Sequence, residues 1–287
     1  MERAKTNKVF VIGTVEEVNT LIRTSGNGKE YINGKIVVKT EVDGKPTMVE
    51  LKVLAFAKNK NGEDNKMFLT YKTLDGMRGK RVKITGELRE GSMIKQDGGS
   101  VIHFNEIYLK FINPARTDDI DCSTFEFSGF VVKPICERRN KDDEILGYRI
   151  EVAQANYDNT NIQVIRFDID KNDVNIAQAI EANYLPGATV SFNGTLSYSS
   201  HVETRTEEVA FGEPVVKSYV QTEKSYRITS GQEAFPEDGP DTYRPDEIKK
   251  YIEAYKAADV ARLEKQVADS APASTPMGEK TRVTSLL

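Results

Sequence analysis

The sequence predicts a mainly β protein: two successive five-stranded barrels, then a helix and a disordered tail. Three observations predict it. Short alternating strands fill almost every stretch up to residue 235, one order of elements occurs twice, and each half holds a matching glycine-spaced segment. A chain of 287 residues suits two domains of ordinary size better than one.

In the first half, Val9 to Val18 is an apolar run interrupted by Gly13. Lys35 to Thr40 and Val49 to Val53 alternate polar and apolar residues, the period of two that sends neighbouring side chains to opposite faces. Asp43-Gly44 between them is a hairpin turn signal. Asn65 to Leu74 places Met67, Phe68, Tyr71 and Leu74 at helical spacing. Gly79 to Leu88 alternates again, Asp97-Gly98-Gly99 marks a loop, and Val101 to Phe111 is a fifth strand. The order is β-β-β-α-β-β.

The second half repeats it. Phe125 to Pro134 carries Gly129 where the first run carries Gly13, Gly147 to Val152 follows the pattern of Gly34 to Lys39, and Ile162 to Ile169 is a third strand. Val174, Ala177, Ile180, Ala182 and Leu185 give a short helix, and Val215 to Ile228 closes the set. Gly187 to Leu196 and Gly79 to Leu88 both read G-x-x-V-x-x-x-G-x-L. The offset between halves is 108 to 116 residues, the mark of a duplicated module. Five strands with a helix between the third and fourth is the order of the OB-fold, a small Greek-key barrel. Glycine in strands one and four suits the sharp coiling of such a barrel. The expected domains are a basic OB module over 1–116, an acidic one over 117–235, and a C-terminal segment over 236–287.

Residues 236–246 are a linker by composition, with Pro245 well placed as a first helical residue. A helix over about 245–268 follows, with Ile248, Tyr251, Ile252, Tyr255, Leu263 and Val267 in an apolar stripe. Such a stripe buries itself on a barrel or a partner, its own barrel being the commoner outcome. Ala268 to Leu287 has the composition of a disordered tail.

The net charge of −4 conceals an asymmetry. Residues 1–116 hold 21 Lys and Arg against 14 Asp and Glu, whereas residues 117–240 hold 11 against 22. No apolar run approaches the ~20 residues needed to span a bilayer, and no secretory signal opens the chain. Cys122 and Cys136 make no disulfide framework, and no Cys/His spacing suggests zinc. There is no G-x-x-x-x-G-K-[ST] loop, and His103 and His201 sit in no recognised catalytic motif. Asp168, Asp170 and Asp173 lack EF-hand spacing and read as a solvated strand end. No enzyme, cofactor or metal is expected, and the cytoplasm is the expected location.

An OB barrel binds oligonucleotides over strands two and three and the loops L12 and L45. The chemistry asks for cations along a groove and aromatic rings on which bases stack. The strand parity of the first module turns Lys35, Lys39, Lys52, Arg81 and Lys83 outward. Lys58 and Lys60 lie beyond strand three, Arg23 and Lys29 in L12, and Arg89 and Lys95 in L45. Outward lysines also keep any strand soluble, but the excess of cations in this half alone favours a nucleic-acid face. Phe56 and Tyr31 are the stacking candidates, while Phe104 and Tyr108 suit the core equally well. In the second module Tyr157, Tyr198, His201, Arg205, Lys217 and Tyr219 could line a groove, yet its net negative charge opposes a phosphate backbone. That module reads as architectural or partner-binding, with a secondary share of the strand at most.

The tandem arrangement, carried by the order of elements and the two G-x-x-V-x-x-x-G-x-L strands over about residues 7–235, resembles single-stranded DNA-binding proteins of bacteriophage type. The resemblance implies a non-enzymatic protein that coats and protects exposed single-stranded DNA in replication, recombination or repair. It also implies the cytoplasm of a bacterial host if the source is a phage. Many bacterial-type members end in an acidic tail with a terminal Pro-Phe, whereas this chain ends Arg282-Val-Thr-Ser-Leu-Leu287. Partner recruitment through such a tip is therefore not implied. Replication or recombination proteins remain candidate partners through the acidic module or the C-terminal helix, and a homo-oligomer is compatible with the sequence. RNA is a second candidate ligand. The alternative function is a structural or assembly protein of a phage or large complex, with the barrels as protein-docking modules.

Overall fold

The computed structural model describes residues 5–95, 99–140, 142–156, 159–207, 211 and 215–270, giving only the backbone path for most of 199–222 and for 266–270. Strands β1 (Asn7–Thr24), β2 (Glu30–Val42), β3 (Lys45–Phe56), β4 (Arg81–Ile94) and β5 (Val101–Pro114) make the first barrel, with helix α1 (Lys66–Tyr71) between β3 and β4. Strands β6 (Cys122–Arg139), β7 (Ile145–Ala155), β8 (Ile162–Asp170), β9 (Thr189–Glu207) and β10 (Val215–Gly231) make the second, with α2 (Val174–Asn183) in the corresponding place. Helix α3 (Pro245–Ser270) follows. The expected tail beyond Ser270 lies outside the described residues.

The first barrel closes in the order β5-β3-β2-β1-β4-β5, β3 meeting β5 in parallel at Lys52 and Tyr108. The second closes as β10-β8-β7-β6-β9-β10, β8 meeting β10 in parallel at Asp168 and Arg227. Both are the OB order. Alternation supplies the cores. Ile36, Val38, Leu51, Val53, Val82 and Ile84 are fully buried in the first barrel, and Phe125, Phe127, Phe167 and Phe192 in the second. The Phe167 ring lies 5.0 Å from Phe127 and 4.7 Å from Phe192. Asp43 and Gly44 both have positive φ, as the tight β2–β3 turn requires. A Cβ on Gly13 would lie 2.1 Å from the Lys39 carbonyl oxygen, and one on Gly129 2.2 Å from that of Ala153. Both barrels thus need bare backbone where their first two strands cross.

The barrels are fused by pairing of their first strands. β1 runs antiparallel to β6 from Asn7–Phe127 to Ile12–Cys122. Gly13 and Gly129 are equivalent, so Val9 and Phe125 are too, and these two face each other. A local two-fold axis passes between them. Matching side chains seal the join: Thr40 donates to the carbonyls of Ile12 and Cys122, and Gln154 to those of Thr6 and Ser128. The hairpins cross over as well. Thr47 of β3 exchanges two hydrogen bonds with the Tyr198 backbone of β9, and Asn105 of β5 exchanges two with the Arg166 backbone of β8.

Helix α3 buries its stripe on the second barrel. Ile248 and Tyr251, with Tyr243 before the helix, pack on Phe130, Ala153, Ala155, Ile162 and Val164, and Ile252 and Tyr255 flank them. Its next turn reaches the first barrel, where Asp259 Oδ2 lies 2.9 Å from His103 Nε2 and the Tyr255 hydroxyl donates to Glu90 at 2.5 Å.

Candidate nucleic-acid interface

Three strands of the first barrel turn one face to solvent. Their register lays it out in rungs: Arg23–Tyr31–Phe56, then Leu21–Asn33–Leu54, then Asn19–Lys35–Lys52, then Glu17–Val37–Glu50, with Lys39 beside Met48 at the far end. The bulge between Val15 and Glu17 shifts the parity of β1, so that Val18 points inward while Leu21 and Arg23 stay exposed.

The first two rungs form an apolar platform. The rings of Tyr31 and Phe56 lie 5.5 Å apart and tilted by 42°. Phe56 is 43% exposed, Leu54 37% and Leu21 60%. Large apolar groups left open together on one sheet face make this a candidate binding surface. Arg23 sits at the edge of this platform, and Lys29 lies in the adjoining β1–β2 turn, where its N–H donates to the Ser25 hydroxyl. Parity counted from Lys52 would have found Leu54. Leu21 needed the bulge.

The middle rungs are occupied by ion pairs. Lys35 Nζ lies 2.6 Å from Glu50, and that hydrogen bond pushes the lysine pKa up. Glu50 also receives Lys224 of β10 at 3.2 Å. Burial alone would raise the Glu50 carboxyl, but the Lys35 hydrogen bond and the Lys35 and Lys224 charges outweigh it and hold the pKa below the ordinary value. Lys52 pairs with Glu106 and lies 5.9 Å from the Tyr108 ring, with the Arg89 guanidinium 4.4 Å from the same ring. Burial raises the Tyr108 hydroxyl. Tyr108 and Phe104, for which the core was an equal expectation, are half-buried.

Three expected positions differ. Arg81 and Lys83 do not share the face of Lys35 and Lys52. They stand on β4, which pairs with the first half of β1, and the linker between the barrels binds them. Arg81 donates to Asp121 and to the carbonyls of Arg116 and Asp119, and Lys83 lies 3.4 Å from Asp119. Arg89 lies within β4 rather than in a loop, because β4 continues to Ile94, and it pairs with Glu87. Lys58 is paired with Asp64 at 2.7 Å. Lys60 and Lys95 are exposed and, like Arg23, Lys29 and Lys39, have no ion-pair partner among the described residues.

The second barrel presents a different surface at the same register. Thr14–Lys39–Met48 corresponds to Phe130–Ala153–Val164, which α3 covers. Lys35–Lys52 corresponds to Arg149–Asp168, where Asp168 is clamped by both Arg138 and Arg149. Tyr198, a groove candidate, is instead buried at the junction, its hydroxyl 3.0 Å from that of Tyr226. The side chains of Tyr157, His201, Arg205, Lys217 and Tyr219 lie outside the described residues. Among the described residues no group of three or more His, Cys, Asp or Glu could hold a metal ion.

Residues 5–266 match the family described as YorF. No curated protein matches the chain. Among solved structures, the wild-type single-stranded DNA binding protein from Thermus aquaticus matches at 12% identity with a TM-score of 0.51, covering 84% of this chain and 98% of that one. A deletion mutant of the same protein matches at 12% identity with a TM-score of 0.50, covering 83% and 98%. At that identity the likeness shows a shared fold.

Proposed function

The chain belongs to the YorF family, and we propose that it binds and protects single-stranded DNA, without catalysing a reaction, on the open face of its first barrel. One observation carries this reading. Tyr31 and Phe56 stand as a partly exposed ring pair on the β2–β3 face of an OB barrel, with Leu54 below and Arg23 beside. Bases stack on such rings with little regard to sequence, contributing about 1–3 kcal/mol each. Arg23, Lys29, Lys39 and Lys60, which have no ion-pair partner among the described residues, can take phosphates directly, whereas Lys35, Lys52 and Lys58 must first exchange a carboxylate. The fold shared with a protein whose name states single-stranded DNA binding supports the same reading. Coating of exposed strands in replication, recombination or repair, within the cytoplasm of a cell or of a phage-infected host, is the role that follows. Partner proteins of those processes would meet the acidic second barrel or the outer side of α3.

Fluorescence anisotropy with a labelled single strand of about 30 nucleotides, enough for two OB modules, its duplex and an RNA copy tests this. Tight binding to the DNA strand that weakens steeply with salt is the expected result. A flat response to all three at low salt overturns it, and preference for the RNA copy moves the substrate class.

A further inference from the structure

The open face does not stop at Lys39 and Met48. It runs into a groove of about 530 Å³ with two walls from different barrels. One wall is the end of the β2–β3 hairpin, with Lys39, Lys45 and Met48. The other is the β9–β10 pair of the second barrel, with Ser197 and Arg227. Lys39 and Lys45 are exposed and have no ion-pair partner among the described residues. Arg227 is held against the groove by Asp43 at 3.4 Å and Asp173 at 3.1 Å.

We propose that a bound single strand runs from the Tyr31–Phe56 platform down β2 and β3 and seats its phosphates in this inter-barrel groove on Lys39 and Lys45. This rests on the single-strand reading above and extends it with a second subsite. Three features converge on it. The groove is continuous with the platform along β3, from Phe56 to Met48, a run of about 26 Å at strand rise. Its two free lysines neutralise phosphates without breaking a protein ion pair, unlike Lys35 and Lys52. Finally, the corresponding floor in the second barrel is apolar and roofed by α3, while here the same positions carry Lys39 and Met48, both left exposed by the described residues. The second barrel thus serves the strand as a wall, which reconciles its acidity with a shared path.

The test compares strand lengths. Anisotropy titrations use an oligothymidylate of about 5 nucleotides, which the platform alone accommodates, and one of about 15, which reaches the groove. Lys39→Glu with Lys45→Glu is expected to weaken the long strand at least tenfold. It should also flatten its log K against log salt slope by about 1.4, two phosphate contacts at about 0.7 each. The short strand should change less than twofold, and Lys39→Arg with Lys45→Arg should restore the long one. Equal loss on both lengths, or loss on neither, overturns the groove subsite while leaving the platform in place. Failure of the unmutated protein to bind either length instead removes the single-strand reading, and this inference with it. Both lysines are exposed, so the variants retain the fold, which circular dichroism verifies.

Discussion

The two barrels match strand for strand and share a two-fold axis, yet they treat the same face in opposite ways. The first leaves it open and edges it with cations. The second fills it with protein. Few positions carry the difference. Lys39, Glu41, Pro46 and Met48 in the first barrel correspond to Ala153, Ala155, Ile162 and Val164 in the second. Replacing charge with small apolar groups there makes a seat for α3, and burying that seat stabilises by roughly 25 cal/mol per Å² of apolar surface removed from water. Two rungs further along, Lys52 becomes Asp168, and two arginines that a phosphate could otherwise use are consumed by one carboxylate. The same scaffold thus carries one face left open and one face braced by α3.

The brace yields the largest expected effect. Tyr243 is 1% exposed, its ring is 5.0 Å from Phe130, and its hydroxyl accepts the Ala155 N–H. Tyr243→Ala should cost about 3–5 kcal/mol of stability by urea unfolding while leaving the strand affinity of the folded protein unchanged. A matching fall in affinity would mean that the second face also binds. The reverse experiment is Tyr31→Ala with Phe56→Ala. Two lost stacking contacts predict at least roughly 2 kcal/mol, a Kd about 30-fold weaker. Both rings are partly exposed, so stability should move little. Retained affinity in this variant would place the strand elsewhere.

Most of the fold was legible because alternation and glycine spacing are local signals. The repeated G-x-x-V-x-x-x-G-x-L marks β4 and β9, whose second glycines pass close to the carbonyls of Tyr108 and Arg227 as the barrels close. Phe56 was legible from strand parity and Tyr31 from its place beside L12, but that β2 and β3 bring the two rings together was not. What escaped depended on long-range packing. Arg81 and Lys83 point outward as parity requires, but nothing in their own strand shows that Asp119 and Asp121 come back to bind them. The acidic stretch between the barrels is their clamp. Arg89 was assigned to a loop because β4 runs past the alternating stretch. The bulge in β1 left a trace, since Val15-Glu16-Glu17-Val18 spaces two buried valines by three and breaks the period of two.

The comparison also predicts where the barrels behave alike. Gly13→Ala and Gly129→Ala each place a methyl about 2 Å from a carbonyl oxygen of the neighbouring strand. Each should cost about 1–3 kcal/mol by urea unfolding, as overpacking does. A markedly smaller cost at Gly129 would show that the second barrel opens more readily where its first strands cross.

The smallest effect concerns a second place where the two-fold relation reverses charge. Glu50 of β3 and Arg166 of β8 are equivalent, and each faces the hairpin of the other barrel, Glu50 meeting Lys224 and Arg166 meeting the Asn105 side chain through its backbone. At this join the Glu50 pKa is depressed. A carboxylate held below its unfolded value of about 4.3 contributes stability that is complete above that pH and is lost as pH falls through the lower folded value. Urea midpoints at about pH 6 and about pH 3 should therefore differ less in Glu50→Gln than in the unmutated protein. The neutral amide has no proton to gain, and it already lacks the attraction to Lys35 and Lys224. An identical acid loss in both proteins would assign that loss to other carboxylates. The crossing of β3 with the β9–β10 hairpin would then be held by packing and by the hydrogen bonds of the Thr47 side chain to the Tyr198 backbone.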